Sequence, residues 1–278
     1  MIAATFFFAL MNVGVKYLSN IPAVEIVFFR SIVSLVITFS YLKAKKINPW
    51  GNNKKILFIR GFAGAIALVM FFITLQEIPL ASAVTIQFLT PIFTAILGIF
   101  IVREKVNPLQ WLFFLISFVG ILIIQGVDAR ISPLYLVIGL AAGLFAGIAY
   151  NMIRKLGTTE NSMVIILYFP LVTIPVTGPY VLTHFVLPIG IDWLVLLFIG
   201  LTTQFAQFYL TRAFQIEEVS KIASIKYVEI VYALILGFFI FEETYEWSSY
   251  VGIGVVLLGV FFNIWYKQWK VLKPKAKS

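Results

Sequence analysis

Long apolar runs alternate with short polar breaks along the whole chain, and most runs are about 20 residues long. A helix rises 1.5 Å per residue, so a run of this length crosses the roughly 30 Å hydrocarbon core of a bilayer. No connector is long enough to hold a soluble domain. The pattern predicts an all-α polytopic membrane protein with ten transmembrane helices, at about 2–18, 23–42, 56–76, 79–102, 108–125, 133–153, 162–182, 192–213, 217–241 and 248–266.

The composition supports this fold class. Of the 278 residues, 61% are hydrophobic and 12% are charged, and the mean hydropathy is +1.00. A soluble domain has roughly 25% charged residues. The net charge of +9 would suggest nucleic acid as the partner of a soluble protein, but in this chain we expect the lipid bilayer and a small-molecule substrate, and no nucleic acid. The absence of cysteine excludes disulfides, thiolate metal sites and cysteine nucleophiles.

Basic residues are distributed unevenly over the two sides of the predicted spans. We assign fourteen of the 21 lysines and arginines to one side, and three lie inside spans. By the positive-inside rule, the richer side faces the cytoplasm and holds both termini. We expect a multi-pass protein of the plasma (inner) membrane of a bacterium. The four basic residues assigned to the opposite side are Lys16, Arg130, Arg212 and Lys221.

The two halves of the chain can be aligned with one constant shift of 139 residues. The segment "LGIFIVRE" (97–104) reappears as "LGFFIFEE" (236–243). Polar and glycine residues coincide at the same shift, which predicts one five-helix repeat at 1–132 and a second, with a short basic tail, at 133–278. Because five is odd, the second copy must be inverted in the membrane, an architecture typical of carriers that work by alternating access. Matching pairs include Asn12 with Asn151, Lys16 with Lys155, Gln76 with Gln215, and Glu104 with Glu243.

Three stretches carry a resemblance to a known family: "VEIVFFRSIVSL" (24–35), residues 59–104 and "YVEIVYALILGFFIFEE" (227–243). The chain resembles the EamA-type branch of the drug/metabolite transporter superfamily over nearly its whole length. Within that branch it is similar to the S-adenosylmethionine transporters. An arginine in the second helix and a glycine followed six residues later by glutamate are typical of the family. The resemblance implies ten helices and the movement of small organic solutes, often export.

Two opposite charges inside span nine are the first candidates for a substrate site. Lys226 and Glu229 lie near the middle of the span, where each charge costs about 2.5–3.5 kcal/mol on insertion scales. Their spacing of three residues puts them on neighbouring parts of one helix face. Either they form an ion pair that only tethers the helix, or they line a central cavity. In the second case Lys226 would meet an anionic group, and Glu229 a cationic group or a proton.

Other polar and aromatic residues at similar depth extend this candidate site. Gln87 and Thr90 are the repeat counterparts of Lys226 and Glu229, so both sets should face the same midplane cavity. For Tyr150 and Tyr227, packing against lipid is an equal alternative to substrate contact. For Arg30, a structural role is an equal alternative. We expect Glu104 and Glu243 at cytoplasmic ends, in structural contacts. The further candidates are Asn12, Asn151, Tyr150, Tyr227, Gln204 and Gln207, the last two on a shared face, and Arg30.

Catalytic chemistry finds little support. The single histidine, His184, falls in a predicted external loop without a second ligand, so we predict no metal site. A phosphate-binding glycine loop and a nucleophile–base–acid set are also missing, and we expect no cofactor and no enzymatic activity. The sequence predicts a secondary transporter that exports a small metabolite such as an amino acid or a nucleoside-like compound. Protons are a candidate coupling ion. The alternatives are a membrane enzyme acting on lipid head groups and a non-transporting scaffold.

Overall fold

The fold is a bundle of apolar helices. The computed structural model describes residues 1–103, 108–127, 132–216 and 228–272. Helices α4 and α5 together form one interrupted span, so the eleven helices in the described residues make ten spans, as predicted. The helices are α1 (Ile2–Tyr17), α2 (Ala23–Ala44), α3 (Lys54–Glu77), α4 (Leu80–Gln87), α5 (Thr90–Ile101), α6 (Pro108–Val127), α7 (Pro133–Leu156), α8 (Ser162–His184), α9 (Asp192–Ile216), α10 (Val228–Phe241) and α11 (Trp247–Leu272).

Polar residues in the breaks start the helices that follow them. The Asn53 side chain accepts a hydrogen bond from the backbone N–H of Ile56 at the start of α3. Asn161 does the same for Met163 at the start of α8, at 2.9 Å. Such caps satisfy N–H groups that have no partner in the first turn of a helix. The short breaks therefore both separate the spans and define where they begin.

The fourth span is interrupted near its centre. Helix α4 ends at Gln87, and α5 begins at Thr90, directly before Pro91. Proline cannot donate the backbone hydrogen bond that would continue a helix. Broken backbone at membrane depth is tolerated where it is enclosed by protein, and Phe88 and Leu89 at the break are buried. The break turns the end of α4, with Gln87, toward the centre of the bundle.

The inverted repeat predicted from the sequence is present in the structure. Spans one to five are α1–α6, and spans six to ten are α7–α11. Gln76 and Gln215, which are 139 residues apart, make equivalent hydrogen bonds to the turn that follows α1 or α7. Gln76 Nε2 donates to the carbonyls of Leu18 and Ile21 at 3.0 and 2.9 Å, and Gln215 Nε2 to those of Gly157 and Glu160, both at 2.8 Å. The division between residues 132 and 133 stays a prediction.

Glycines let α7 approach α4 and α5 closely. A Cβ added to Gly139 would lie 2.8 Å from a side-chain carbon of Ile86. One added to Gly147 would lie 3.0 Å from the backbone nitrogen of Thr94. Small residues allow such close packing of helix backbones in membranes. The glycines of the 139–147 segment therefore serve packing.

The placement of Arg212 on the less basic side was wrong. Phe214, near the end of α9, packs in one buried cluster with Ala4 of α1, Leu42 of α2 and Leu57 of α3. The end of α9 therefore lies at the same end of the bundle as the amino terminus and the basic segment between α2 and α3. The reason is that α9 is the eighth span, and every even-numbered span returns the chain to the end at which the first span begins. Lys221 lies outside the described residues.

The predicted placement of Glu243 at the end of the bundle that holds both termini was also wrong. Its carboxylate lies 2.9 Å from Nζ of Lys16, at the end of α1 farthest from the amino terminus. In an inverted repeat, residues that match at the 139-residue shift lie at opposite ends of the bundle. Glu243 must therefore lie at the end opposite to that expected for Glu104, which is outside the described residues.

Candidate functional site

A cavity of about 90 Å³ lies inside the bundle. This volume holds several water molecules. Seven helices contribute to its wall, so movements of either repeat can change its shape. The lining residues are Phe8, Met11, Asn12, Arg60, Gly64, Ala67, Leu68, Phe71, Gln87, Ala146, Ala149, Tyr150, Ile153, Phe169, Gln207 and Glu229.

Glu229 and Asn12 form one polar wall of the cavity. Glu229 on α10 is 5% exposed, and its Oε1 accepts a hydrogen bond from Nδ2 of Asn12 on α1 at 3.1 Å. A hydrogen bond to a carboxylate is stronger than one between neutral groups. Asn12 therefore holds the carboxylate in place while it faces the cavity. Two other predicted site residues, Lys226 and Tyr227, lie outside the described residues.

Arg60 on α3 forms a second polar wall, and no role was predicted for it. It is 4% exposed, and its Nη2 donates to Oε1 of Gln207 on α9 at 3.3 Å. Its guanidinium carbon lies 5.6 Å from the centre of the Phe169 ring. Within the described ranges, its Nε and Nη1 atoms have no hydrogen-bond partner. A charged residue inside an apolar span, the argument that singled out Glu229, could have identified it.

Three further predicted residues line the cavity. Gln207 is the partner of Arg60, and Gln87 lies at the break between α4 and α5. Tyr150 on α7 packs its ring against that of Phe214, with the ring centres 4.9 Å apart. The cavity thus combines amide, phenol, carboxylate and guanidinium groups with an apolar wall, a combination that suits a small polar organic molecule.

Asn151 and Thr90 do not line the cavity, contrary to prediction. Asn151 Nδ2 donates to the carbonyls of Thr94 and Gly147, both at 2.9 Å. It therefore ties α7 to α5. The Thr90 hydroxyl is buried where α5 packs on Gly143 of α7. Both residues belong to the close α7–α5 contact that the glycines of α7 allow.

Gln204 and Arg30 also lie outside the cavity wall. Gln204 accepts from Ser34 at 2.7 Å and donates to Thr38 at 2.9 Å, which joins α9 to α2. It does not share the environment of Gln207, three residues later. Arg30 is 1% exposed, and its Nε donates to Thr203 Oγ1 at 2.9 Å. Both residues connect helices, and their contact with substrate stays a prediction.

One end of the bundle is closed by a group of contacts that we call the Lys16 latch, formed by Lys16, Ile78, Leu80, Glu243 and Tyr245. Lys16 Nζ lies 2.9 Å from Glu243 and donates to the carbonyl of Ile78 at 2.8 Å. Glu243 also accepts from the backbone N–H of Leu80 at 3.0 Å and from the Tyr245 hydroxyl at 2.5 Å. The latch joins the first repeat to the second. Beneath it, a buried apolar cluster that includes Val15, Leu75 and Val84 fills the bundle.

His184 is an exposed residue at the carboxyl end of α8, not in a loop as predicted. Its Nδ1 lies 2.7 Å from the Thr183 hydroxyl, and its ring stacks on Tyr180 with centres 4.6 Å apart. In the described ranges, no three histidine, aspartate or glutamate side chains are grouped as they would be around a metal ion.

Comparison with protein families identifies both halves of the chain. The model of the EamA-like transporter family matches residues 1–126 and again residues 133–265. The chain is 29% identical over 260 residues to the pseudopaline exporter of Pseudomonas aeruginosa, covering 92% of this chain and 91% of the relative. It is 26% identical over 267 residues to the S-adenosylmethionine uptake transporter of Rickettsia prowazekii, covering 95% and 90%.

Similarity extends to a human protein and to a solved structure. Human solute carrier family 35 member G1 is 27% identical over 295 residues, covering 96% of this chain and 79% of the relative. A protein of known crystal structure shares the fold with a TM-score of 0.69, at 14% identity, covering 97% of this chain and 99% of that one. The fold therefore extends over nearly the whole chain.

Proposed function

Because the chain belongs to the EamA-like transporter family, we propose that its central cavity is the site at which substrate is carried across the membrane. The chain is a multi-pass membrane protein and a secondary transporter of small organic molecules. In this proposal the two inverted repeats rock about the cavity and expose it to each side in turn. The polar side chains of the wall replace the water that the substrate loses.

The observation that carries the proposal is the position of the cavity relative to the Lys16 latch. The cavity holds ionisable side chains, Glu229 and Arg60, that are costly inside a membrane unless they serve a function. The latch and the apolar cluster beneath it close the bundle at one end. Opening toward that end requires the latch to break, as alternating access demands.

The finer features follow from the charges and the relatives. The basic end of the bundle is marked by Lys43, Lys54 and Arg212, and in this proposal it faces the cytoplasm. The proposed location is the inner membrane of a bacterium. The proposed direction is export, and the proposed cargo is an amino acid or a nucleoside-like compound. One relative is named for the export of pseudopaline and another for the uptake of S-adenosylmethionine. A proton exchanged at Glu229 is the proposed coupling ion.

Filling the cavity tests its role. Gly64 lies in the cavity wall, so Gly64→Leu places a side chain in the transport path. Gly254 has open space around it, and Gly254→Leu is the matched control. Liposomes containing each purified protein are loaded with a bacterial metabolite extract, and mass spectrometry follows what leaves. We expect release of at least one polar metabolite by wild type and Gly254→Leu, and none by Gly64→Leu.

Equal release by Gly64→Leu and wild type, with both proteins eluting as single species in detergent, would contradict the proposal. The orientation has its own test, because the chain lacks cysteine. An impermeant thiol reagent added to intact cells should label His184→Cys and leave Lys45→Cys unlabelled. The opposite pattern would reverse the orientation.

A further inference from the structure

The segment that joins α2 to α3 presents a group of exposed lysines at one end of the bundle. The stretch from residue 43 to residue 55 contains no aspartate or glutamate. Across the ranges that the structure describes, no carboxylate oxygen lies within 4 Å of the ammonium groups of these lysines. Their positive charge is therefore not neutralised by a direct ion pair. The exposed lysines are Lys43, Lys45, Lys46, Lys54 and Lys55.

Contacts to the start of α8 give this segment a fixed shape. Glu160 accepts hydrogen bonds on Oε1 from the backbone N–H groups of Asn52 and Asn53, at 2.6 and 2.7 Å. The Tyr168 hydroxyl donates to the carbonyl of Trp50 at 2.8 Å. Glu160 is buried, so its carboxylate lies beneath the segment, whereas the Trp50 side chain is 59% exposed. The segment is thus held on the bundle by its backbone, and the lysines and the indole ring point away from it.

The turn at the end of α2 contains a lysine where glycine would fit more easily. Lys46 has a φ of +53°, in the left-handed region. The turn is closed by a hydrogen bond from the backbone N–H of Ile47 to the carbonyl of Leu42 at 2.9 Å. Glycine adopts this conformation at lower cost than a residue with a Cβ. Lys46 therefore adds positive charge to the segment at some cost in backbone energy.

An aromatic face continues from the lysines into the membrane. Lys54, Phe58 and Phe62 follow each other at intervals of four residues, so they lie on one face of α3. Both phenylalanines are exposed, and their rings stack with centres 6.2 Å apart. Helix α3 is long and apolar enough to cross a membrane. Phe62 lies about 12 Å along the helix axis from Lys54, so this face combines a charge at the boundary with rings at the depth of the acyl chains.

We propose that the lysine segment and the aromatic face of α3 bind an anionic phospholipid, with its phosphate among the lysines and an acyl chain along Phe58 and Phe62. Clusters of roughly four to eight basic residues beside a transmembrane helix attract anionic lipids. Trp50 lies beside the lysines, and tryptophan is favoured at the membrane–water boundary. A soluble anion has no use for the two rings, which continue the site into hydrocarbon. The inference does not depend on the role of the central cavity.

Competition between two lipids tests the site. The full-length protein in detergent is mixed with equal amounts of phosphatidylglycerol and phosphatidylcholine that have the same acyl chains, and native mass spectrometry counts the bound lipids. We expect about a tenfold preference for phosphatidylglycerol, since each lysine near an anionic head group contributes about fivefold. Replacement of all five lysines by glutamine should abolish the preference, and Lys54→Gln should reduce it several-fold. Lys155→Gln, at an exposed lysine of α7, is the control and should keep it.

Equal binding of the two lipids by wild type, or an unchanged preference after removal of the five lysines, would overturn the proposal. All the substituted side chains are exposed, so the melting temperatures of the variants should stay close to that of wild type.

A second measurement separates a lipid from a soluble anion. The double change Phe58→Ala with Phe62→Ala keeps every charge and should weaken binding of phosphatidylglycerol several-fold, because the acyl chain loses its contact. Inorganic phosphate in large excess should leave most of the phosphatidylglycerol bound to wild type. Complete displacement by phosphate, or undiminished lipid binding by the double variant, would show a general anion-binding surface and overturn the lipid site.

Discussion

Two corners of the bundle are related by the repeat and differ in their chemistry. At the α1–α10 corner, Asn12 donates to the carboxylate of Glu229 beside the cavity. At the α7–α5 corner, the matching Asn151 donates to the backbone of Thr94, and Thr90 stands where Glu229 stands in the other copy. Duplication thus supplied two equivalent corners. One of them is charged and faces the cavity, and the other is neutral and ties two helices together.

The helix spacing explains how the corners came to differ. Gly147 of α7 lets the backbone of α5 approach so closely that an added Cβ would lie 3.0 Å from the backbone nitrogen of Thr94. The matching residue in α1 is Phe8, whose side chain lines the cavity. A large residue in one copy and glycine in the other therefore separate a binding corner from a structural corner. The comparison shows that a symmetric fold can hold an asymmetric site.

The largest expected difference between the corners concerns charge. Glu229→Gln should lower kcat/KM for transport about 100-fold, since charge-assisted hydrogen bonds contribute roughly 1.5–3 kcal/mol. It should also remove the pH dependence of the remaining transport. Thr90→Val at the matching position should stay close to wild type in transport. The measurement is initial uptake into liposomes across a pH series. Similar losses in both variants would remove the functional difference between the corners.

Substitutions that change side-chain size should affect protein stability differently at the two corners. Gly147→Leu forces a side chain into the close α7–α5 contact and should destabilise the protein by about 1–3 kcal/mol, with a lower melting temperature in detergent. Phe8→Leu keeps an apolar side chain beside the cavity and should cost less than about 1.5 kcal/mol. Its main effect should be on KM. If Gly147→Leu melted as wild type does, the close α7–α5 contact would not distinguish the two corners.

The two asparagines should act on different observables. Asn151→Ala removes two hydrogen bonds to backbone carbonyls and should lower stability by about 1 kcal/mol, with KM unchanged. Asn12→Ala releases the Glu229 carboxylate and should raise KM by several-fold with a smaller change in melting temperature. Thermal melting and uptake kinetics on the same preparations check both statements. A KM effect at Asn151 would place that residue in the transport path.

The smallest effect is expected at the Lys16 latch. Lys16→Met breaks a partly exposed ion pair, which contributes below about 1 kcal/mol, so the closed end should open slightly more often. Its repeat counterpart Lys155 is exposed, and Lys155→Met should have no effect there. The opening is measured by the rate at which a thiol reagent labels the buried Val15→Cys. Adding Lys16→Met should raise this labelling rate by at most about fivefold over Val15→Cys alone. Equal rates in both variants would show that the latch does not hold this end closed.

The fold was largely predictable because hydropathy records it directly. Water excludes the apolar runs and lipid accepts them, so the ten spans and the repeat could be read from composition and spacing. The orientation of side chains around each helix axis was less predictable. Gln204 and Gln207 are three residues apart, yet Gln207 lines the cavity and Gln204 pairs with α2. Only the packing of neighbouring helices decides between such positions.

The same limit explains the errors in the candidate site. Repeat symmetry predicted that Asn151 and Thr90 would share the cavity with Asn12 and Glu229. The repeat symmetry relates backbone positions and does not fix the side chains. Gly147 brings α7 and α5 closer together while the matching of backbone positions between the repeats is kept. Arg60 was missed although it lies inside an apolar span, because it stands nearer than Glu229 to a basic segment, the one at Lys54. Its burial depends on the close crossing of α3 and α8, where a Cβ on Gly61 would lie 2.5 Å from the carbonyl oxygen of Tyr168.

The most direct test of the central claim is protection of the cavity by substrate. In this cysteine-free chain, Phe8→Cys places a thiol in the cavity wall, and Lys45→Cys places one in an exposed loop. We predict that a mixture of proteinogenic amino acids slows the labelling of Phe8→Cys by N-ethylmaleimide and leaves Lys45→Cys unchanged. Labelling of Phe8→Cys at the same rate with and without a transported amino acid would contradict the claim that this cavity binds the substrate.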